Sequence, residues 1–136
     1  MGNSKKPWII LLSHGKWGEE LITSTKDVIG EIHNVCSFSL LPEMKVKDYI
    51  NKIKGFLNQL SSRAIVVTDL YCGSTTNVAL MLSENTDIDV ITGLNMHLLI
   101  QLDELRNENP LYIEKDLEAI LEENTSKCQL LKITSL

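Results

Sequence analysis

The stretch Trp8-Ile9-Ile10-Leu11-Leu12-Ser13-His14-Gly15-Lys16-Trp17-Gly18 decides how the chain is read. Its short apolar run reads as an interior parallel strand, which is buried on both faces and so does not alternate. Ser13 to Gly18 reads as the turn that follows. In open parallel α/β sheets, ligands and reacting groups gather at the carboxyl ends of the strands. His14 stands at such an end. An imidazole there is a candidate nucleophile or proton carrier; the competing structural reading is a residue that caps the next helix or fills a loop.

Three more segments read as strands: Val35 to Leu40, Ala64 to Asp69, and Asp89 to Leu94. Helical spacing lies between them. Glu19 to Ile29 puts Leu21, Ile22, Val28 and Ile29 near one face. Val46 to Leu60 does the same with Val46, Tyr49, Ile50, Ile53, Phe56, Leu57 and Leu60, and Thr75 to Ser83 with Val78, Ala79, Met81 and Leu82. Met96 to Arg106 and Ile113 to Asn124 read as two further helices, the second with Leu117, Ile120 and Leu121 inward. Such alternation predicts an open, mostly parallel α/β sheet with helices on both faces. The tail, about 128–134, is strand-like, and a run so apolar needs a sheet edge in its own subunit or a neighbour's. It hints at a dimer.

Right-handed crossovers restrict the topology. In the strand order 2-1-3-4, the switch point falls between the first and third strands. His14 ends the first and Asp69 the third, so two residues distant in sequence meet in one crevice. A carboxylate on one imidazole nitrogen fixes the tautomer, turns the other lone pair outward and stabilises positive charge on the ring. The structural reading of Asp69, a helix N-cap or turn residue, is compatible with that role. Leu70 to Asn77 then enters a helix. Its N-terminal N–H groups and dipole favour an oxyanion; Gly73 permits close approach, and Ser74 and Thr75 offer hydroxyls. The structural reading is that Ser74 or Thr75 is the N-cap.

Composition narrows the class. The 136 residues carry a net charge of -5, with 43% hydrophobic and 23% charged residues, as expected of a single soluble domain, 1–136, with its core over about 8–124. An acidic chain with only scattered basic pairs, Lys5-Lys6 and Lys45/Lys47, does not offer the basic face that nucleic acid requires. No apolar run is long enough for a membrane span or, after the polar start, for a signal peptide, so a cytoplasmic protein is expected. Cys36, Cys72 and Cys128 are distant and odd in number, which points to reduced thiols. No phosphate-loop or dinucleotide fingerprint and no nucleophile elbow occurs. His14, His33 and His97 lack metal-ligand spacing, and His33 reads as a solvated loop residue. Neither a metal nor a cofactor is expected.

Ser13-His14-Gly15, Glu19-Glu20-Leu21, Thr68-Asp69-Leu70-Tyr71-Cys72-Gly73-Ser74 with Asn77, and Val90-Ile91-Thr92-Gly93-Leu94-Asn95 together resemble the mannose-type enzyme IIA domain of the bacterial sugar phosphotransferase system. The likeness runs from about Trp8 to the helix before Asn124. It implies a phosphocarrier whose histidine, matched by His14, takes a phosphoryl group from phospho-HPr and passes it to enzyme IIB, itself part of a membrane complex with IIC and IID. Asp69 matches the aspartate that orients the ring. Gly73 and Ser74 match the pair that binds phosphoryl oxygens, and Thr75 is expected to join them. Family dimers exchange a C-terminal strand, which would employ the apolar tail. Several residues depart from the pattern. Cys72 replaces a usual glycine, Tyr71 a tryptophan and Thr75 a proline, while His97 stands in place of another proline, as a tolerated helix-start residue or a second acid–base group. Two other functions use related domains: the phosphocarrier subunit of a dihydroxyacetone kinase, and a regulatory module that signals by its phosphorylation state.

Overall fold

The computed structural model describes residues 6–135. The polar start through Lys5 lies outside the described residues. Elements alternate as β1 (Trp8–His14), α1 (Trp17–Ile29), β2 (Val35–Leu40), α2 (Val46–Leu57), β3 (Ala64–Thr68), α3 (Ser74–Ser83), β4 (Ile88–Thr92), α4 (Met96–Glu108) and α5 (Glu114–Ser126). All strand pairs are parallel and the sheet order is β2-β1-β3-β4. This is the open α/β sheet that the alternation predicts.

The central strands are buried on both faces, and successive side chains serve two cores. Ile9, Leu11, Ile65 and Val67 pack with Leu98, Leu99, Leu102 and Leu117, under α4 and α5. Ile10, Leu12, Ala64 and Val66 pack with Tyr49, Ile53, Val78 and Ala79, under α2 and α3. α1 approaches closely because Gly18 carries no side chain: a Cβ there would stand 2.4 Å from Ser37 Oγ. Asn95 caps α4 by accepting from the Leu98 N–H at 2.8 Å. Asp116 reaches back to the Ile113 N–H at 2.8 Å at the start of α5.

Two expectations are corrected. Val28 and Ile29 are exposed: the buried residues of α1 are Gly18 and Thr25, with Leu21 and Ile22 half-buried between them. Val46 and Met81 also face outward. The tail forms no strand within this chain. Residues 128–132 are irregular, Ile133–Ser135 make a single 3-10 turn, and Leu130 and Ile133 are exposed.

Candidate functional site

The strand ladder itself creates the site. Leu12 pairs with Thr68, and the Asp69 N–H donates to the Leu12 carbonyl at 3.1 Å. Pairing therefore runs one residue past β3 and sets Asp69 beside His14. Gly15 then turns the chain off β1. It adopts φ +68°, a conformation open to glycine with little strain, while its N–H donates to the Leu40 carbonyl at 2.9 Å.

Asp69 gathers four donor groups. The His14 backbone N–H donates to Oδ2 at 2.7 Å, and the Trp17 indole N–H to the same oxygen at 3.3 Å. The Thr75 hydroxyl donates to Oδ1 at 2.8 Å. His14 Nδ1 lies 3.1 Å from both oxygens. An ionised carboxylate only accepts, so Nδ1 carries a proton, and in the neutral ring Nε2 carries the lone pair. Burial pushes the Asp69 carboxyl up, but the hydrogen bonds from the His14 N–H, Thr75 and the His14 ring, with the ring's charge, outweigh it and hold the group below its ordinary value of 3.8. The side chain of Asp69 is 7% exposed and that of His14 is 43% exposed. The acid is sheltered, and the ring it holds meets solvent.

Gly73 packs against the imidazole. A Cβ at this position would stand 2.9 Å from His14 Cε1, so any other residue would force the ring or the loop to shift. Its carbonyl accepts the Asn77 N–H at 3.2 Å, opening α3, whose first-turn N–H groups lack intrahelical acceptors. Ser74 is exposed at that turn. Thr75 is not: it is fully buried, and its hydroxyl serves Asp69 rather than the phosphoryl oxygens expected of it. Thr76 ties the loop together, donating to the Leu70 carbonyl at 2.6 Å and lying 2.6 Å from the Thr68 hydroxyl.

His14 also borders an apolar groove with Gly15, Leu40, Leu41, Pro42, Met44 and Val46. Leu70 and Tyr71 are exposed in the loop after Asp69, and Cys72 is an exposed thiol. His97 is in a different place. It lines a groove between α4 and α5 with Ile100, Glu104 and Glu123, because α4 directs it outward. His33 is an exposed loop residue. Among the described residues no cluster could hold a metal ion, and no helix is long and apolar enough to cross a membrane. Trp17 is the partner that the sequence reading passes over. Its one signal is position, three residues beyond His14 with an indole N–H that needs an acceptor.

The model of the PTS system fructose IIA component family matches residues 8–121. The mannose/sorbose specific IIA subunit of the phosphotransferase system from Enterococcus faecalis is 24% identical, with 94% of this chain and 96% of that chain covered at a TM-score of 0.82. The phosphotransferase system component EIIA from Streptococcus agalactiae is 21% identical, with 95% and 98% covered at 0.81. The PTS IIA protein associated with the fucose utilization operon from Streptococcus pneumoniae is 26% identical, with 96% and 95% covered at 0.77. Those similarities extend across the sheet and the loops that carry His14 and Asp69, and the family match spans most of the chain: the protein belongs to the PTS system fructose IIA component family, EIIA-man.

Proposed function

We propose that this phosphotransferase-system IIA component carries its phosphoryl group on His14, taking it from phospho-HPr and delivering it to an enzyme IIB. The observation that carries the reading is the Nδ1–carboxylate contact at 3.1 Å, which leaves Nε2 as the ring nitrogen with a lone pair at the exposed mouth of the crevice. In the transfer, the Nε2 lone pair forms a bond to phosphorus in line with the breaking P–N bond of the donor histidine. The donor imidazole departs with that electron pair. The proton on Nδ1 of His14 stays there, where Asp69 balances the positive character of the phosphorylated ring. Little covalent chemistry is asked of the protein, so positioning and charge stabilisation dominate. Gly73, Ser74 and the first-turn amides of α3 are assigned to the phosphoryl oxygens. The apolar groove beside His14 and exposed Leu70 and Tyr71 supply surface for the protein partners, and the reaction belongs in the cytoplasm with no cofactor.

A homodimer belongs to the same proposal. Exposed Leu130, Leu131 and Ile133, and a groove along β4 lined by Leu80, Val90, Leu117 and Leu121, support exchange of the tail between two copies.

The test is incubation with phosphoenolpyruvate, enzyme I and HPr, followed by intact-mass analysis at alkaline pH. One added acid-labile phosphate, absent from His14→Ala, is expected. Normal phosphoryl acceptance by His14→Ala would sink the assignment. Transfer onward to a IIB protein, rather than to a dihydroxyacetone kinase complex, identifies the acceptor.

A further inference from the structure

We infer that Thr75 is a positioning residue for phosphoryl transfer: its buried hydroxyl fixes the plane of the Asp69 carboxylate, and that plane sets the orientation and tautomer of His14. The inference rests on the phosphocarrier reading above.

The two oxygens of Asp69 are held unequally. Oδ2 accepts the His14 N–H at 2.7 Å and the Trp17 indole N–H at 3.3 Å. Oδ1 accepts the Thr75 hydroxyl at 2.8 Å. His14 Nδ1 bisects them at 3.1 Å from each, so the ring follows the carboxylate plane. With Thr75 in place the carboxylate is fixed at both oxygens. Without it, Oδ2 alone is tethered and the group can rotate about its Cβ–Cγ bond. The ring then loses its symmetric acceptor, and the Nε2–H tautomer, which has no lone pair to attack phosphorus, competes.

A purely structural role for Thr75 would be to anchor α3 to β3. Its neighbour already does that, since the Thr76 hydroxyl is bonded to the Leu70 carbonyl and the Thr68 hydroxyl. Thr75 is fully buried, so the group it serves is the one it touches.

The experiment compares Thr75→Val, which keeps the shape and removes the donor, with Thr75→Ser, which keeps the donor. Long-range 1H–15N spectra of the unphosphorylated proteins, at a pH where imidazoles are neutral, read the His14 tautomer. Wild type and Thr75→Ser should show Nδ1–H alone, and Thr75→Val a mixture. In HPr-dependent kinetics Thr75→Val should lose about ten-fold in kcat, as expected for a hydrogen bond to a charged group, with KM for phospho-HPr unchanged and Thr75→Ser within about two-fold of wild type. If Thr75→Val does not fold, Thr75→Ala removes the same donor and is judged by the same two readings. Wild-type tautomer and kcat in the donor-less variant overturn the inference, as does equal slowing of Thr75→Ser. A wild-type protein that takes no phosphoryl group from phospho-HPr instead overturns the phosphocarrier reading, while the tautomer spectra still decide the role of Thr75.

Discussion

Two carboxylate–nitrogen pairs stand at opposite ends of the sheet, and they differ in what they leave free. At the amino ends of β1 and β2, Arg106 is fully buried and all five of its N–H groups are used. Nη1 donates to the carbonyls of Pro7 and Asn34 at 2.8 and 2.7 Å. Nη2 donates to the His33 carbonyl, and Nε and Nη2 share Asp103 Oδ1 at 3.1 and 2.8 Å. At the carboxyl end, Asp69 is equally well supplied, but its partner is an imidazole whose side chain is 43% exposed. A pair whose donors are all satisfied inside the fold can only hold structure. A pair that satisfies the acid and leaves its basic partner exposed can do chemistry.

Crossing the two pairs gives the largest effects. His14→Ala should abolish phosphoryl acceptance and leave the urea midpoint near wild type. Arg106→Ala should do the reverse, costing about 3–5 kcal/mol of stability because Asp103 is stranded in the interior, with the folded fraction still able to accept phosphate. If Arg106→Ala unfolds no more easily than wild type, the clamp is not structural and the contrast fails.

Gly73→Ala comes next. With its Cβ 2.9 Å from the imidazole, the ring or the loop must shift. Stability should fall by about 1–3 kcal/mol, and single-turnover transfer by at least about ten-fold, since misplacement of reacting groups is costly. Unchanged kinetics would show that the loop yields rather than the ring. Trp17→Phe keeps the ring and removes the N–H. At 3.3 Å that bond is the longest on Asp69, so transfer should slow by only about two- to five-fold.

The smallest effect is a pH dependence that separates the ends. Asp69 titrates below its ordinary value of 3.8, so the stability it contributes is present above that value and is lost as pH falls through its lower folded one. Asp69→Asn should therefore be less stable than wild type near neutrality, with the two urea midpoints converging in acid. A difference that persists unchanged into acid would mean that packing, not charge, is what the aspartate contributes.

Much of the fold is legible in the residues, since burial on both faces imposes continuous apolar strands. Val35–Leu40 has the expected bounds, and β1, β3 and β4 fall within two residues of theirs. The meeting of His14 and Asp69 follows once the strand order is 2-1-3-4, which sets β1 beside β3; the right-handed crossover rule narrows the possible orders to a few that include it. Thr75 shows where such reading stops. Hydroxyls at a helix start suit a phosphate or a carboxylate equally well, and only the rotamer and burial of this one assign it to Asp69. Arg106 shows the same limit, since a basic residue in a helix's last turn is ordinarily solvated. The tail shows another: apolar residues call for a partner but do not say where it lies.

The sequence by itself therefore determined the parallel sheet and the places of His14 and Asp69 at the ends of two of its strands. These depend on periodicity and chain connectivity, which are local or topological. Tertiary structure alone decided that Thr75 and Trp17 converge on Asp69, that Gly73 packs against the ring, and that Arg106 locks the opposite end. Each depends on where a side chain points among residues remote in sequence, and no spacing along the chain encodes that direction.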